Sequence, residues 1–330
     1  MTRIFQCTLS SSLKRRCVQT TPLWRKQAYA ACLTRSFSST KPSFENNAEP
    51  KEPKADQFPW LLSSEGPRIA KHDYPTSAGS FGFLTLFPKF IQHGMCFWAA
   101  KGFMGVNMGA DYFPDQFLVG ATMALRQAVT SISQQITDPT TEKEEALEKM
   151  LGKPLLDRFM EAGKALHGAE LSIQVPQVYD AELKDIWINV GTNEAFKNHR
   201  KFEIVEWMTF RMAMEKGKDD SPESYSDFNS RITNSWLSAV QINVDVAIDA
   251  DIVYKVAKGD DVLLYDEGRR SVMLRLGSPY FEPAKKMVSG RDPDTLEPYN
   301  DWTWKIVDID QLLEKEAQEH QDQDEDEDRD

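Results

Sequence analysis

The chain has 330 residues, of which 41% are hydrophobic and 27% charged, and its formal net charge is −12. This length allows one large domain or two small ones, and four cysteines are too few for a disulfide scaffold. The pI of about 5.0 argues against a general nucleic-acid binder, and no direct binding of DNA is predicted.

The first 43 residues are basic, rich in Ser and Thr, and free of Asp and Glu. Their eight Lys and Arg side chains give this head a charge of +8. A secretory signal would need an apolar core of about 7–15 residues, which is missing here, so the composition indicates a mitochondrial transit peptide. The potential across the inner membrane pulls such a cationic segment into the matrix. The alternative is a basic tail that stays on the protein.

A cleavage site lies near the end of this basic head. The string Arg35-Ser36-Phe37-Ser38-Ser39 resembles the sites that the matrix processing peptidase cuts. We therefore predict a transit peptide over residues 1–37, with cleavage between Phe37 and Ser38. Cleavage removes three of the four cysteines and leaves Cys96. One cysteine forms neither a structural disulfide nor a zinc site.

Two further segments have the composition of unstructured chain. Residues 38–80 are polar, aperiodic and rich in proline, which predicts a disordered linker. Residues 314–330 contain ten carboxylates against one Lys and one Arg, which predicts a disordered acidic tail. The tail either contacts a basic partner or only keeps the protein soluble.

The first part of the remaining chain has helical periodicity. Apolar residues at spacings of three and four predict a helix over 115–137, with Asp111 or Asp115 as its N-cap. A second helical stretch over 141–166 is predicted to break near Pro154, which can occupy the first turn of a new helix.

From residue 170 onward the period of the apolar residues changes to two, which predicts strands. One strand is expected over 201–214 and another over 241–256, where eight apolar residues alternate with polar ones. The second strand is so long that it should contain a bend or a bulge. A hairpin turn is predicted at 266–268, and a last strand begins at Trp302.

Helices that come first and antiparallel strands that follow predict the α+β class. We expect one domain over residues 108–313, in which N-terminal helices pack on a strongly curved antiparallel sheet. Three carboxylates, Asp245, Asp249 and Asp251, should lie on the exposed face of the long strand, because a shift of one residue would bury them. Two such residues are about 6.6–7 Å apart, so a paired acid and base is the alternative.

Residues 81–107 are rich in aromatic side chains and contain no carboxylate. A membrane-spanning helix needs about 20 consecutive apolar residues, and prolines and lysines interrupt this segment. Aromatic residues among a few lysines suit a segment at the headgroups of a membrane, so we predict docking to a membrane surface. The candidate docking residues are Phe90, Phe97, Trp98 and Phe103. The alternative is that the segment packs on the domain itself.

The sequence lacks the motifs of common enzymes. It contains no G-x-S-x-G, no phosphate loop and no H-E-x-x-H, and no two histidines have metal-ligand spacing. The glycines at 102, 105 and 109 lack the preceding strand that a dinucleotide site requires. We therefore predict a protein that is not an enzyme, with no catalytic, cofactor-binding or metal-binding residues. A small-molecule enzyme with one of the three strand aspartates as general base is the alternative.

Two short segments resemble a known family. Residues 112–124 resemble the first helix of the membrane-docking domain in the anchor subunit of the mitochondrial import motor, a Tim-type domain. The matching residues are Asp115, Phe117, Gly120, Ala121 and Ala124. Residues 301–313 resemble the final strand of the m-AAA protease-interacting protein family, within the same superfamily. The matching residues are Asp301, Trp302, Thr303, Leu312 and Leu313, with Trp304 as a further packing residue and Asp308 near an acidic position.

The resemblance implies a cone-like, pocketed domain that needs no cofactor and lies in the mitochondrial matrix, peripheral to the inner membrane. The implied partners are the inner-membrane AAA protease, newly imported or synthesised inner-membrane proteins, and the membrane surface. The alternative is a protein that docks the mitochondrial ribosome, with Lys197, Arg200 and Lys201 as a basic patch for RNA. Insertions near 216–226 and 285–294 depart from the family pattern.

Overall fold

The computed structural model describes residues 74–75, 86–166, 168–217 and 224–318. The predicted transit peptide, its cleavage site at Phe37 and Ser38, and most of the predicted linker lie outside these residues. The part of the predicted acidic tail from residue 319 onward lies outside them as well.

Four helices precede the sheet. They are α1 (Lys89–Met108), α2 (Phe117–Thr137), α3 (Thr141–Met150) and α4 (Lys153–Ala165). A π-helical turn, Tyr112–Gln116, leads into α2. No side chain caps the N-terminus of this turn or of α2, so the predicted capping by Asp111 or Asp115 is wrong. The predicted break near Pro154 is confirmed, because α4 begins after an extended Gly152 with the proline in its first turn.

The strands follow, and among the described residues two α-helices and one 3₁₀-helix, Ala284–Met287, lie between them. The strands are β1 (Glu170–Gln174), β2 (Val178–Val190), β3 (Phe202–Trp207), β4 (Phe210–Glu215), β5 (Val240–Lys258), β6 (Asp261–Gly277), β7 (Gly290–Arg291), β8 (Pro298–Tyr299) and β9 (Lys305–Ile309). Helix α5 (Asn193–Lys197) follows β2, and α6 (Tyr225–Ser238) precedes β5. Within the described residues the main sheet has the order β3-β4-β2-β5-β6-β9, with β1 on β5, while β7 and β8 form a separate ribbon.

The main sheet is antiparallel except where β2 runs parallel to β4, and it curls into a half-barrel. The helices cover its apolar face. Helix α2 contributes the buried residues Phe117, Ala121, Leu125, Ala128, Val129 and Ile132. Strand β5 contributes its even-numbered residues from Ile242 to Val256, and its register against β6 shifts after Val256, at the expected irregularity. The predicted fold class, α+β with helices packed on a curved and mainly antiparallel sheet, is confirmed.

Two predicted features of the sheet are wrong. The segment 201–214 is not one strand but the hairpin of β3 and β4, which turns at Met208 and Thr209. Met208 adopts a φ of 52°, and its N–H donates to the carbonyl of Pro75 at 2.7 Å. Residues 266–268 lie inside β6, and the chain instead turns after β5 at Gly259, whose φ is 62°.

The first residues of the predicted acidic tail belong to the fold. A short helix over 312–318 follows β9, and the Asp308 carboxylate accepts N–H bonds at its start from Leu313 and Glu314. Burial raises the pKa of Asp308. Glu316 pairs with Arg158 of α4 at 2.9 Å. Residues 314–318 are therefore helical and not a solvated tail.

Candidate functional site

Helix α1 packs on the sheet through one narrow stripe. Its buried residues recur every four positions: Gln92, Cys96, Ala100, Met104 and Met108. Three polar contacts anchor its first half. Trp207 Nε1 donates to Gln92 Oε1 at 2.8 Å, His93 Nε2 lies 2.7 Å from Asp185 Oδ1, and Cys96 Sγ lies 3.3 Å from Thr209 Oγ1. The segment 81–107 is therefore partly a component of the domain, as the self-packing alternative expected.

The described residues before α1 reinforce this anchor. The Tyr74 hydroxyl donates to Asp185 Oδ2 at 2.7 Å, so one carboxylate holds both Tyr74 and His93. The Tyr74 ring lies 4.8 Å from the His93 ring and stacks on Trp187 at 6.0 Å. Burial and the bond to Asp185 raise the pKa of the Tyr74 phenol, which therefore stays protonated as the donor.

The opposite side of α1 is apolar, and no described residue covers it. We name its exposed apolar residues, together with Phe87 just before the helix, the aromatic ridge: Phe87, Phe90, Ile91, Met95, Trp98 and Val106. Phe90 is 76% exposed and Trp98 79%, and the glycines at 94 and 102 that share this face leave it open. Lys89 and Lys101 are exposed beside the ridge, and no carboxylate occurs between residues 86 and 110.

The four predicted docking residues separate into two pairs. Phe90 and Trp98 point outward, as predicted, whereas Phe97 and Phe103 are partly buried against the core. The Phe103 ring lies 5.4 Å from that of Trp236 in α6. Phe97 and Phe103 therefore do not belong to the ridge, because the helical turn places them toward the sheet, and docking through the four residues stays a prediction. Among the described helices, none is both long and apolar enough to cross a bilayer.

A cavity of about 380 Å³ lies between α1, α6 and the strands β2, β3 and β4. Its lining is Cys96, Ala99, Ala100, Phe103, Ile186, Ile188, Val205, Trp207, Thr209, Phe210, Met212, Ile232 and Trp236. Three polar side chains in this wall already have partners, since Cys96 contacts Thr209 and the Trp207 N–H is bound to Gln92. Burial raises the pKa of the Cys96 thiol, so it lines the cavity uncharged. Such a cavity accepts an apolar group.

The contribution of α6 to this cavity is absent from the sequence-based predictions. Phe228, Ile232 and Trp236 recur every four residues along α6 and face the core. This spacing is the usual sign of an amphipathic helix, so the signal was present in the sequence. The partner of that apolar face was not predictable, because Phe103 and Phe210 meet Trp236 only in the folded chain.

A second cavity, of about 480 Å³, lies among the residues of the family resemblance. Phe117, Gly120, Ala121 and Trp304 are in its wall. The Trp304 ring packs at 5.2 Å from Phe117 and at 5.0 Å from Trp302, whose Nε1 donates to the carbonyl of Met287 at 2.7 Å. Phe117, Ala121, Trp302 and Trp304 are therefore packing residues, as predicted.

Two of the predicted packing residues do not pack. Asp115 is exposed in the turn before α2, and Gly120 lies on the outward side of that helix at the rim of the second cavity. A Cβ added at Gly120 would meet nothing within 4 Å. These two positions face solvent because the buried side of α2 runs through Phe117 and Ala121 instead.

The three strand aspartates make separate contacts. Asp245 is only 5% exposed and accepts from Arg275 Nε at 2.6 Å and from Trp187 Nε1 at 2.7 Å, so its predicted exposure is wrong. Asp249 pairs with Arg269, whose hydrogen bonds lower the pKa of that carboxyl. Asp251 accepts from the Tyr179 hydroxyl at 2.6 Å.

These contacts leave the aspartates away from both cavities. None of the three lines either cavity, so neither presents a strand carboxylate to a bound molecule. In the part of the chain that the structure describes, no group of three His, Cys, Asp or Glu side chains could hold a metal ion. The arrangement suits the binding of apolar groups and surfaces.

No protein-family model matches this chain, and no curated protein matches it either.

Proposed function

We propose that this protein is an adaptor without catalytic activity in the mitochondrial matrix, peripheral to the inner membrane. It binds the inner-membrane AAA protease and newly imported or synthesised inner-membrane proteins and assists their maturation. The aromatic ridge of α1 is the observation that carries this proposal. A protein of the m-AAA protease-interacting family within the Tim-type superfamily would have this role, and the two matching segments support that relationship.

The ridge has the composition of a surface that binds at lipid headgroups. Phe90 and Trp98 offer large apolar area on one face of a helix, and Lys89 and Lys101 add positive charge beside it. Each lysine close to an anionic membrane contributes about 1 kcal/mol to binding. The absence of carboxylates from this stretch avoids repulsion, although the whole chain carries a charge of −12. The ridge would therefore lie in the membrane interface.

The first cavity would receive apolar groups of a client. Its volume of about 380 Å³ exceeds the roughly 150 Å³ of an engineered cavity that takes up benzene. Exposed Ala99 belongs to the cavity wall and directly follows Trp98 of the ridge. A protein emerging from the membrane could thus place an apolar side chain in the cavity while the ridge stays at the headgroups.

Docking of the mitochondrial ribosome is the second candidate, and a group of cations favours it. Lys197, Arg200 and Lys201 are exposed. Lys216 lies beside them: its backbone N–H donates to the carbonyl of Lys201 and its Nζ donates to the carbonyl of His199, both at 2.8 Å. Such a patch can contact RNA phosphates. Co-sedimentation with the large ribosomal subunit in magnesium, and its loss in EDTA, would support this candidate.

Affinity purification from detergent-solubilised mitochondria tests the adaptor proposal. We expect the tagged protein to recover the AAA protease and inner-membrane proteins, and to leave the membrane during carbonate extraction. The ridge variant Phe90→Glu/Trp98→Glu should lose membrane association, while the α2 variant Val119→Glu/Met123→Glu should keep it. Recovery of neither protease nor clients, or a protein that resists carbonate, would contradict the proposal.

A further inference from the structure

Among the described residues, more than half of the 17 residues of strand β6 have no neighbouring strand on one edge. Strand β9 pairs only with its end, from Leu274 to Gly277. Just before that point, Asp310 accepts from the Met273 N–H at 3.0 Å and donates to the Met273 carbonyl at 2.6 Å. No other described residue pairs with the edge from Asp261 to Val272. This edge is a template for another strand.

The backbone direction at Met273 identifies the residues that can pair. Met273 directs both its N–H and its carbonyl toward the edge, so the other odd-numbered residues of the strand do so as well. They include Tyr265, Glu267, Arg269 and Ser271, whose side chains are exposed. The side chains of Asp266 and Arg270 lie on the other face of the sheet and are half-buried.

The charged residues of this edge can pair with the same residues of a second copy of the chain. Around Gly268 the sequence reads Asp266-Glu267-Gly268-Arg269-Arg270. When two copies pair antiparallel with Gly268 on the two-fold axis, Glu267 lies opposite Arg269 of the second copy, which also pairs with Asp249 of its own chain. Asp266 then lies opposite Arg270 of the second copy, and each pair occurs twice because the contact is symmetric. Opposite charges on facing strands stabilise such pairing.

The backbone at Gly268 leaves space for the close approach of a second strand. A Cβ added at Gly268 would meet no atom closer than Arg270 Nε, at 3.9 Å. Arg270 Nε is buried and has no hydrogen-bond partner among the described residues. Arg270 also pairs with Asp266 of its own strand through Nη2, and in the symmetric contact the same two residues of the second copy lie opposite this pair.

We propose that this edge is a homodimer interface, in which residues 265–271 of two copies pair antiparallel about Gly268. The symmetry of the charges favours a second copy over an unrelated peptide, because one short segment supplies both members of every ion pair. Seven paired residues bury little area, so the dimer is weak and concentration-dependent. This interface goes beyond the proposed function and does not depend on it.

Sedimentation velocity of the mature chain, over a series of concentrations, tests the interface. We expect a dimer whose fraction rises with concentration. Glu267→Arg and Arg269→Glu each place like charges opposite each other, so each should weaken the dimer roughly tenfold or more. An equimolar mixture of the two variants restores opposite charges and should dimerise again. Glu145→Arg, an exposed charge reversal on α3, is the control and should dimerise like wild type.

A monomer at every concentration would overturn the proposal, as would single variants that dimerise like wild type. If the equimolar mixture of Glu267→Arg and Arg269→Glu fails to dimerise, the proposed register is wrong. A cysteine pair provides an independent measurement, since Cα atoms on this axis would be about 4.5 Å apart, within disulfide range. Gly268→Cys should form a disulfide-linked dimer under mild oxidation, whereas Tyr265→Cys, opposite Ser271, should remain monomeric.

Discussion

Helices α1 and α2 have 20 and 21 residues and both lie on the curved sheet, yet their outward faces differ. Beyond its first two turns, α2 exposes polar residues: Arg126, Gln127, Thr130, Gln134 and Thr137. Helix α1 exposes apolar residues along its whole length, from Phe90 through Trp98 to Val106. One helix is amphipathic, and the other is apolar on two opposite sides.

A helix that only supports a sheet needs a single apolar face. Helix α2 follows that rule, and its exposed Val119 and Met123 are confined to its start. We propose that the second apolar face of α1, which is exposed among the described residues, makes a contact outside the domain. Substitutions on the inner face of α1 should lower the free energy of unfolding, whereas substitutions on the outer face should reduce membrane binding.

The largest expected effect is the loss of buried side chains, which both helices should show equally. Met104 of α1 and Leu125 of α2 are both 0% exposed. Met104→Ala and Leu125→Ala should each lower the free energy of unfolding by about 2–5 kcal/mol, because each leaves a cavity in the core. Urea denaturation followed by circular dichroism measures this. A near-neutral Met104→Ala would show that α1 is not part of the core.

The polar anchor of α1 should give a smaller effect. His93→Ala removes a hydrogen bond to the Asp185 carboxylate and should cost about 1–2 kcal/mol in unfolding free energy. Lys101→Ala, which removes an exposed cation from the same helix, serves as the control and should change stability by less than about 0.5 kcal/mol. Equal effects of the two substitutions would argue against the anchor.

Cys96 reports whether the inner face of α1 stays closed. Its thiol is buried and its pKa is raised, so alkylation should be slow at neutral pH and should still accelerate above the ordinary cysteine pKa of about 8.5. Because the pKa of the Cys96 thiol is higher in the folded state than in the unfolded state, its contribution to the free energy of unfolding is complete below about pH 8.5. That contribution declines as the pH rises further. Mass spectrometry after timed iodoacetamide treatment measures the rate. Alkylation as fast as that of a free thiol would contradict the packing.

The outward face should contribute least to stability. Phe90→Ala and Trp98→Ala should each change the unfolding free energy by less than about 0.5 kcal/mol, because both side chains are mostly exposed. Neither should accelerate alkylation of Cys96. Denaturation curves together with the alkylation rate check this, and a large loss of stability would place the ridge inside a contact within the domain.

Periodicity predicted the parts of the fold that depend on local pattern. The even-numbered residues of β5 are buried as their alternation required, and Gly152 and Pro154 separate α3 from α4. The hairpin at Met208 escaped prediction because its turn contains neither Gly nor Asn and is covered by the chain at Pro75. Local turn chemistry carries no signal where tertiary contacts impose the conformation.

The candidate site was predictable only in part, for a similar reason. The aromatic composition of 81–107 indicated a binding segment, but which residues face the sheet depends on contacts with distant strands. The partial burial of Phe97 and Phe103 was not predictable for that reason. The burial of Asp245 likewise depends on Arg275, thirty residues further along the chain, which the alternation of β5 alone does not reveal.

Vesicle flotation tests most directly whether the outward face of α1 docks on a membrane. A chain of residues 38–330 should float with vesicles of phosphatidylcholine and cardiolipin, and more salt should weaken the part of binding that comes from Lys89 and Lys101. Phe90→Glu/Trp98→Glu should remain in the unbound fraction, while the matched α2 variant Val119→Glu/Met123→Glu should float like wild type. Failure of this chain to float, or a ridge variant that floats as well as wild type, would contradict membrane docking through α1.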